Sequence, residues 1–195
     1  MAGRKVAVDL DETHTISLFG VQGGGKSYTL GSIIEMASLP APPVNELPRP
    51  LATVVFHYSR TMDYAPEFTS MARPNDDQAQ LQVLKERYIK QLAQERLNLA
   101  EDYIDDDARL TSLIRPGRLI IVDLRDEYIE KDEALGLFVV LMQLFSEVRS
   151  GDEHFNKLVV FDEAHKYIDS PDLVAGLVET VREMRHKGMS ILVAS

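Results

Sequence analysis

The segment Gly20-Val-Gln-Gly-Gly-Gly-Lys-Ser27 constrains this chain more than any other. It fits G-x-x-x-x-G-K-[ST] and stands between an apolar, β-branched run, Thr15–Phe19, and a helix predicted over Ser27–Ala37. An anion needs several N–H donors converging from one side. Gly23, Gly24 and Gly25 let the backbone curl into such a nest because glycine accepts positive φ. The helix that follows adds its N-terminal partial positive charge. On this reading Gly20, Val21, Gln22, Gly23, Gly24, Gly25, Lys26, Ser27 and Tyr28 form a nucleotide-phosphate site. Lys26 reaches the β- and γ-phosphates and acts in catalysis, and the Ser27 hydroxyl is a Mg²⁺ ligand. A glycine-rich turn before a chance Lys-Ser is the alternative.

A second segment, Leu158-Val-Val-Phe-Asp-Glu-Ala-His165, is an apolar strand that ends in two carboxylates. Ligands of an α/β sheet lie at the carboxyl ends of its strands, so a strand-tip acid belongs beside the phosphate loop. Asp162 is the second Mg²⁺ ligand, directly or through water. Glu163, one residue on, can polarise a water for in-line attack on the γ-phosphate. Taken alone, an Asp-Glu pair can also open a surface turn. His165 completes the letters DEAH and reads equally as a coupling residue or as a histidine near a helix start.

Between and around the motifs, strands alternate with helices. Leu39–Pro50 holds five of the nine prolines and is a loop. Leu51–Tyr58 is a strand, and Asp76–Ala100 has Leu81, Leu84, Tyr88, Leu92 and Leu99 at helical spacing. Pro116–Gly117 is a turn that launches the strand Arg118–Leu124. Asp132–Arg149 is a helix, apolar nearly all round at Leu135–Met142 and expected to be buried. Lys157–Phe161 is a strand. Pro171–Lys187 is a helix ended by Gly188, and Ser190–Ala194 is the last strand. Thr15–Phe19 reads as a buried strand. The pattern is an α/β fold with a mainly parallel central sheet flanked by helices. It is one domain over residues 1–195, with a helical insertion at about 38–115.

Charge and composition narrow the partners. A net charge of −10 makes the surface a poor general DNA binder, so a nucleic-acid contact needs a local basic patch. The acids Glu101, Asp102 and Asp105–Asp107 crowd one stretch and read as a solvated loop. Arg182, Arg185 and Lys187, with His186, gather before Gly188. They read either as a subunit-interface or substrate contact, or as cations placed at a helix C-terminus by the macrodipole. The absence of cysteine excludes disulfides and cysteine-ligated zinc and suits the cytosol. No apolar run reaches the ~20 residues of a membrane span, and the N-terminus lacks the apolar core of a secretory signal.

Taken in order, VAVDLDETHTISLFGVQGGGKS, LATVVFHY, IRPGRLIIVDL, KLVVFDEAHKYI and VREMRHKGMSILVAS resemble the HerA/FtsK group of P-loop ATPases, in particular its HerA-like branch. The resemblance implies a RecA-like three-layer sandwich whose last strand lies between the two motif strands. It implies a Mg²⁺-dependent, cytoplasmic ATP hydrolase assembled as a hexameric homo-oligomeric ring. Such a ring is a translocase or helicase on DNA, in some systems with a partner nuclease. Two departures stand out. The second strand ends in His57-Tyr58-Ser59-Arg60, where relatives often carry an acid. The sequence also stops at Ser195, where relatives continue with a polar sensor residue and an arginine finger, so a fragment is expected. A secretion-type or regulatory P-loop ATPase that does not act on DNA is the alternative, as is a DEAH-type helicase lobe.

Overall fold

The computed structural model describes residues 9–21, 23–39, 47–61, 82–84, 114–125, 127–149, 155–166, 175, 178–179, 181–183 and 186–195. Among these residues six strands form one sheet: β1 (Thr15–Leu18), β2 (Ala52–Ser59), β3 (Gln82–Leu84), β4 (Leu119–Arg125), β5 (Lys157–Asp162) and β6 (Met189–Ala194). Their spatial order is β1-β6-β5-β2-β4-β3, and every pairing is parallel. The last strand therefore separates the strand before the phosphate loop from the strand that ends in Asp162. This is the order implied by the resemblance.

Side chains alternate between the faces of a strand, and here each face has its own helix. Val54, Phe56, Tyr58, Ile120, Val122 and Phe161 point to one side, where they pack on α2 (Lys131–Glu147) through Leu135, Phe138, Met142 and Phe145. Val55, Ile121, Leu158, Val160 and Leu192 point to the other and meet α1 (Lys26–Ser38) through Leu30, Ile33, Ile34 and Ala37. The result is a three-layer α/β sandwich of RecA-like kind. Phe56 anchors the α2 side, its ring centroid 4.6 Å from that of Phe138 and 5.5 Å from that of Phe161. Burying each such side chain contributes about 1.5–3 kcal/mol.

Polar contacts fix both ends of α2, an exposed one at its start and a buried one at its end. At its start the Glu133 carboxylate accepts the Glu130 backbone N–H at 3.1 Å. At its end the Lys157 ammonium donates to the carbonyls of Ser146 and Val148 at 2.9 and 2.6 Å. The last carbonyls of a helix lack intrahelical partners, and a cation is favoured there. The Pro116–Gly117 turn is present, and Gly117 has φ 75° beside the ring of Pro50.

Three expectations are corrected. Thr15–Leu18 is an edge strand with alternating exposed and half-buried residues, since among the described residues it pairs only with β6. Gln82–Leu84, inside the predicted helix Asp76–Ala100, is a strand paired with β4. Pairing to an open sheet edge outweighs local helical spacing there. Helix α2 is buried on one side only, because the sheet covers one face; Val140 and Leu144 remain exposed. The rest of the insertion at about 38–115, apart from the segments given above, and the acidic stretch 101–107 lie outside the described residues.

Candidate functional site

The loop between β1 and α1 begins the site. Gly23 and Gly25 have φ 77° and 83°, the left-handed region that strains residues with a Cβ. Gly24 donates its N–H to the Val21 carbonyl at 3.0 Å. A Cβ on Gly24 would lie 3.0 Å from that same oxygen, so any side chain there would crowd the turn. Gly25 precedes the first turn of α1 and accepts the Thr29 N–H and hydroxyl, each at 3.0 Å. The free N–H groups of that first turn and the Lys26 ammonium thus meet at one place. Lys26 donates to the Gly20 carbonyl, folding back across the loop.

The second wall comes from β5. A cleft of about 900 Å³ is lined by Gly20, Val21, Gly23–Tyr28, Glu163, His165, Lys166 and Ser195. The structure therefore joins the phosphate loop, Ser27, Tyr28 and Glu163 in one concave space. Gln22 lies outside the described residues. Glu163 has φ 51°, and it is the non-glycine residue with positive φ among those described. Its carbonyl accepts the Lys166 N–H at 2.9 Å, which starts the short 3₁₀ turn Ala164–Lys166. Its carboxylate lies 3.4 Å from His165 Nε2 and 3.7 Å from Lys166 Nζ. Such pairs at half-exposed positions are weak.

Asp162 stands apart from this lining. It is buried, on the α1 face of the sheet, and its Oδ2 is 2.8 Å from Nδ1 of His57. The two residues are direct partners in the β2–β5 register, and His57 is also opposite Asp123 of β4. Asp123 is engaged by Arg125, whose Nε donates to both carboxylate oxygens at 2.9 Å. Asp162 and Ser27 offer hard oxygen donors. Mg²⁺ commonly uses one or two protein oxygens and completes its shell with waters and phosphates, so this donor set fits it. Among the described residues no cluster of three or more His, Cys, Asp or Glu forms a self-contained metal site.

The basic group before Gly188 divides. Arg182 pairs with Glu179 at 3.4 Å, and Lys187 pairs with Glu147 of α2. Arg185 lies outside the described residues. Gly188 has φ 74° in the turn that leads into β6, and most of the helix expected before it lies outside the described residues. The motifs alone did not point to His57 as a partner of Asp162, nor to Lys166 and Ser195 as cleft residues. The available signal is position. Each lies near the carboxyl end of a parallel strand, His57 within the last three residues of β2, Lys166 in the turn after β5 and Ser195 directly after β6. Among the described residues no helix is long and apolar enough to cross a membrane. No protein family, curated protein or solved structure matches the chain.

Proposed function

We propose that the chain is a Mg²⁺-dependent ATP-binding and ATP-hydrolysing domain. The observation that carries this reading is the meeting of the glycine loop, Lys26, Ser27 and Glu163 in one cleft. The loop N–H groups and the first turn of α1 bind the phosphates. Lys26 exchanges its contact with the Gly20 carbonyl for the β- and γ-phosphate oxygens. Ser27 and Asp162 hold Mg²⁺, which when bound neutralises charge on the β- and γ-oxygens. Glu163 accepts a proton from the attacking water, or orients it, from the rim opposite the loop. Tyr28, 80% exposed at the start of α1, offers an aromatic face to the bound nucleotide. The reading is tested by calorimetry with a non-hydrolysable ATP analogue and Mg²⁺; no binding by the wild-type chain overturns it.

The pairing of Glu163 with His165 and Lys166 favours a second reading, a nucleotide switch that binds ATP and hydrolyses it slowly. Single-turnover hydrolysis separates the two. The HerA-like resemblance extends the first reading to a cytoplasmic, ring-forming motor on DNA, and the strand order β1-β6-β5 agrees with it. Duplex DNA should then raise the turnover rate, despite the net charge of −10. A rate indifferent to DNA favours a secretion-type or regulatory role.

A further inference from the structure

We infer that His57 is a positioning residue for the metal-binding carboxylate of Asp162. The inference rests on the proposed role of Asp162. Both side chains are buried, at 2% and 7% exposure, and the Nδ1–Oδ2 distance is 2.8 Å. A carboxylate that ligates a metal only accepts, so in that role of Asp162 the His57 Nδ1 carries the proton and donates. Strand pairing sets this contact: residue 57 faces residue 162 across the β2–β5 ladder, and both project to the α1 side that also carries the phosphate loop.

The bond fixes the rotation of the Asp162 carboxylate about its Cβ–Cγ axis. A Mg²⁺ ligand, or a ligand to a Mg²⁺-bound water, needs that rotation held, because the octahedral shell of Mg²⁺ tolerates little distortion. Partners behind a metal ligand act in this way, and losing one typically lowers metal affinity about 10- to 100-fold. The other ring nitrogen, Nε2, is buried with no hydrogen-bond partner among the described residues. Burying an unsatisfied polar atom is costly. A histidine kept here for packing alone would be better replaced by an apolar residue, whereas one kept for its Nδ1–H must accept that cost.

The test is a pair of affinities for a non-hydrolysable ATP analogue, measured on the whole chain with Mg²⁺ and with EDTA. The ratio of the two is the gain due to the metal. His57→Leu fills the space without a donor, and its gain should fall at least about tenfold. His57→Asn places an amide N–H near the position of Nδ1 and should restore the gain, while His57→Gln places its amide at Nε2 and should not. A purely structural role would lower both affinities together and leave the ratio alone. An equal gain in wild type and His57→Leu overturns the inference. Should His57→Leu fail to fold, equal gains in the Asn and Gln variants overturn it. A wild-type chain that binds the analogue no better with Mg²⁺ than with EDTA refutes the role of Asp162 itself, and the inference with it.

Discussion

Asp162 and Glu163 are consecutive, yet their carboxylates have separate partners. Asp162 Oδ2 lies 2.8 Å from His57 Nδ1 inside the protein, whereas Glu163 Oε2 lies 3.4 Å from His165 at the cleft. The backbone separates them. Asp162 is the last residue of β5, and Glu163 turns away from the strand at φ 51°. Two adjacent acids are thereby given different surroundings, one buried and fixed, the other facing the space where phosphates would lie.

That backbone turn carries the first prediction. An L-residue in the left-handed region costs roughly 1–2 kcal/mol, and glycine escapes this cost. At an ordinary position glycine is instead less stable than alanine by about 0.5–1 kcal/mol within regular structure. Glu163→Gly and Glu163→Ala both lack the carboxylate, so their difference isolates the backbone. Glu163→Gly should be the more stable by about 1 kcal/mol in urea unfolding. The reverse order would mean that residue 163 is not held at positive φ.

Lys26 gives a binding prediction. Its ammonium contacts the Gly20 carbonyl and lines the cleft with Ser27. Lys26→Ala removes the cation that faces the β- and γ-phosphates and leaves only backbone donors. Calorimetry with a Mg²⁺-bound ATP analogue should show binding lost, while the thermal midpoint changes little because the side chain lies at a cleft surface. Unchanged affinity in this variant would remove the phosphate-loop assignment.

Lys157 gives a pH prediction. Its side chain is buried against Phe145 and Phe155, with Nζ 5.9 and 4.9 Å from their ring centroids. Burial pushes the ammonium down to about 8, and the carboxylate of Glu147 acts in the opposite direction. The unfolded chain keeps the usual lysine value near 10.4. Between about 8 and 10.4 the unfolded chain therefore binds more protons, and the contribution of Lys157 to stability rises with pH. Below about 8 both states are protonated and the burial cost stays constant. The slope is at most about 1.4 kcal/mol per pH unit. Denaturation from pH 7.5 to 10.5 should show wild type gaining on Lys157→Met across that window. Parallel curves would refute it.

Most of the site was legible because its parts are local. GVQGGGKS between a strand and a helix, and LVVFDE as a strand with an acidic tip, each state their geometry within eight residues or fewer. What escaped depends on distant neighbours. The apolar run Thr15–Phe19 says strand, but burial requires flanking strands on both sides, and β1 has one among the described residues. Leu81, Leu84 and Tyr88 have helical spacing, yet Gln82–Leu84 pairs with the edge of β4. The sequence departure at His57 was visible. Its bond to Asp162 was not, because it joins residues 105 positions apart through a register that only the folded sheet defines.

The last prediction separates binding from chemistry. Glu163→Gln should retain ATP binding and lose hydrolysis. The two acids differ in what they hold. Asp162 is buried and bonded to His57, so its replacement should disturb Mg²⁺ and nucleotide binding together. Glu163 faces the cleft at its rim, and among the described residues its carboxylate contacts the half-exposed Lys166 and the exposed His165, so glutamine fits the same space without stranding a buried charge. Glutamine still hydrogen-bonds a water but is no longer a charged proton acceptor. General-base assistance is worth roughly 10²–10⁴ in rate, so single-turnover hydrolysis should slow by about that factor while analogue affinity stays within a few-fold. The pairs with His165 and Lys166 add a control. If they hold Glu163 back in the resting protein, Lys166→Met should raise the basal rate in wild type and leave Glu163→Gln unaffected. Should Glu163→Gln hydrolyse ATP as fast as wild type, Glu163 is not the group that activates water, and the switch-like reading of the cleft replaces the hydrolytic one.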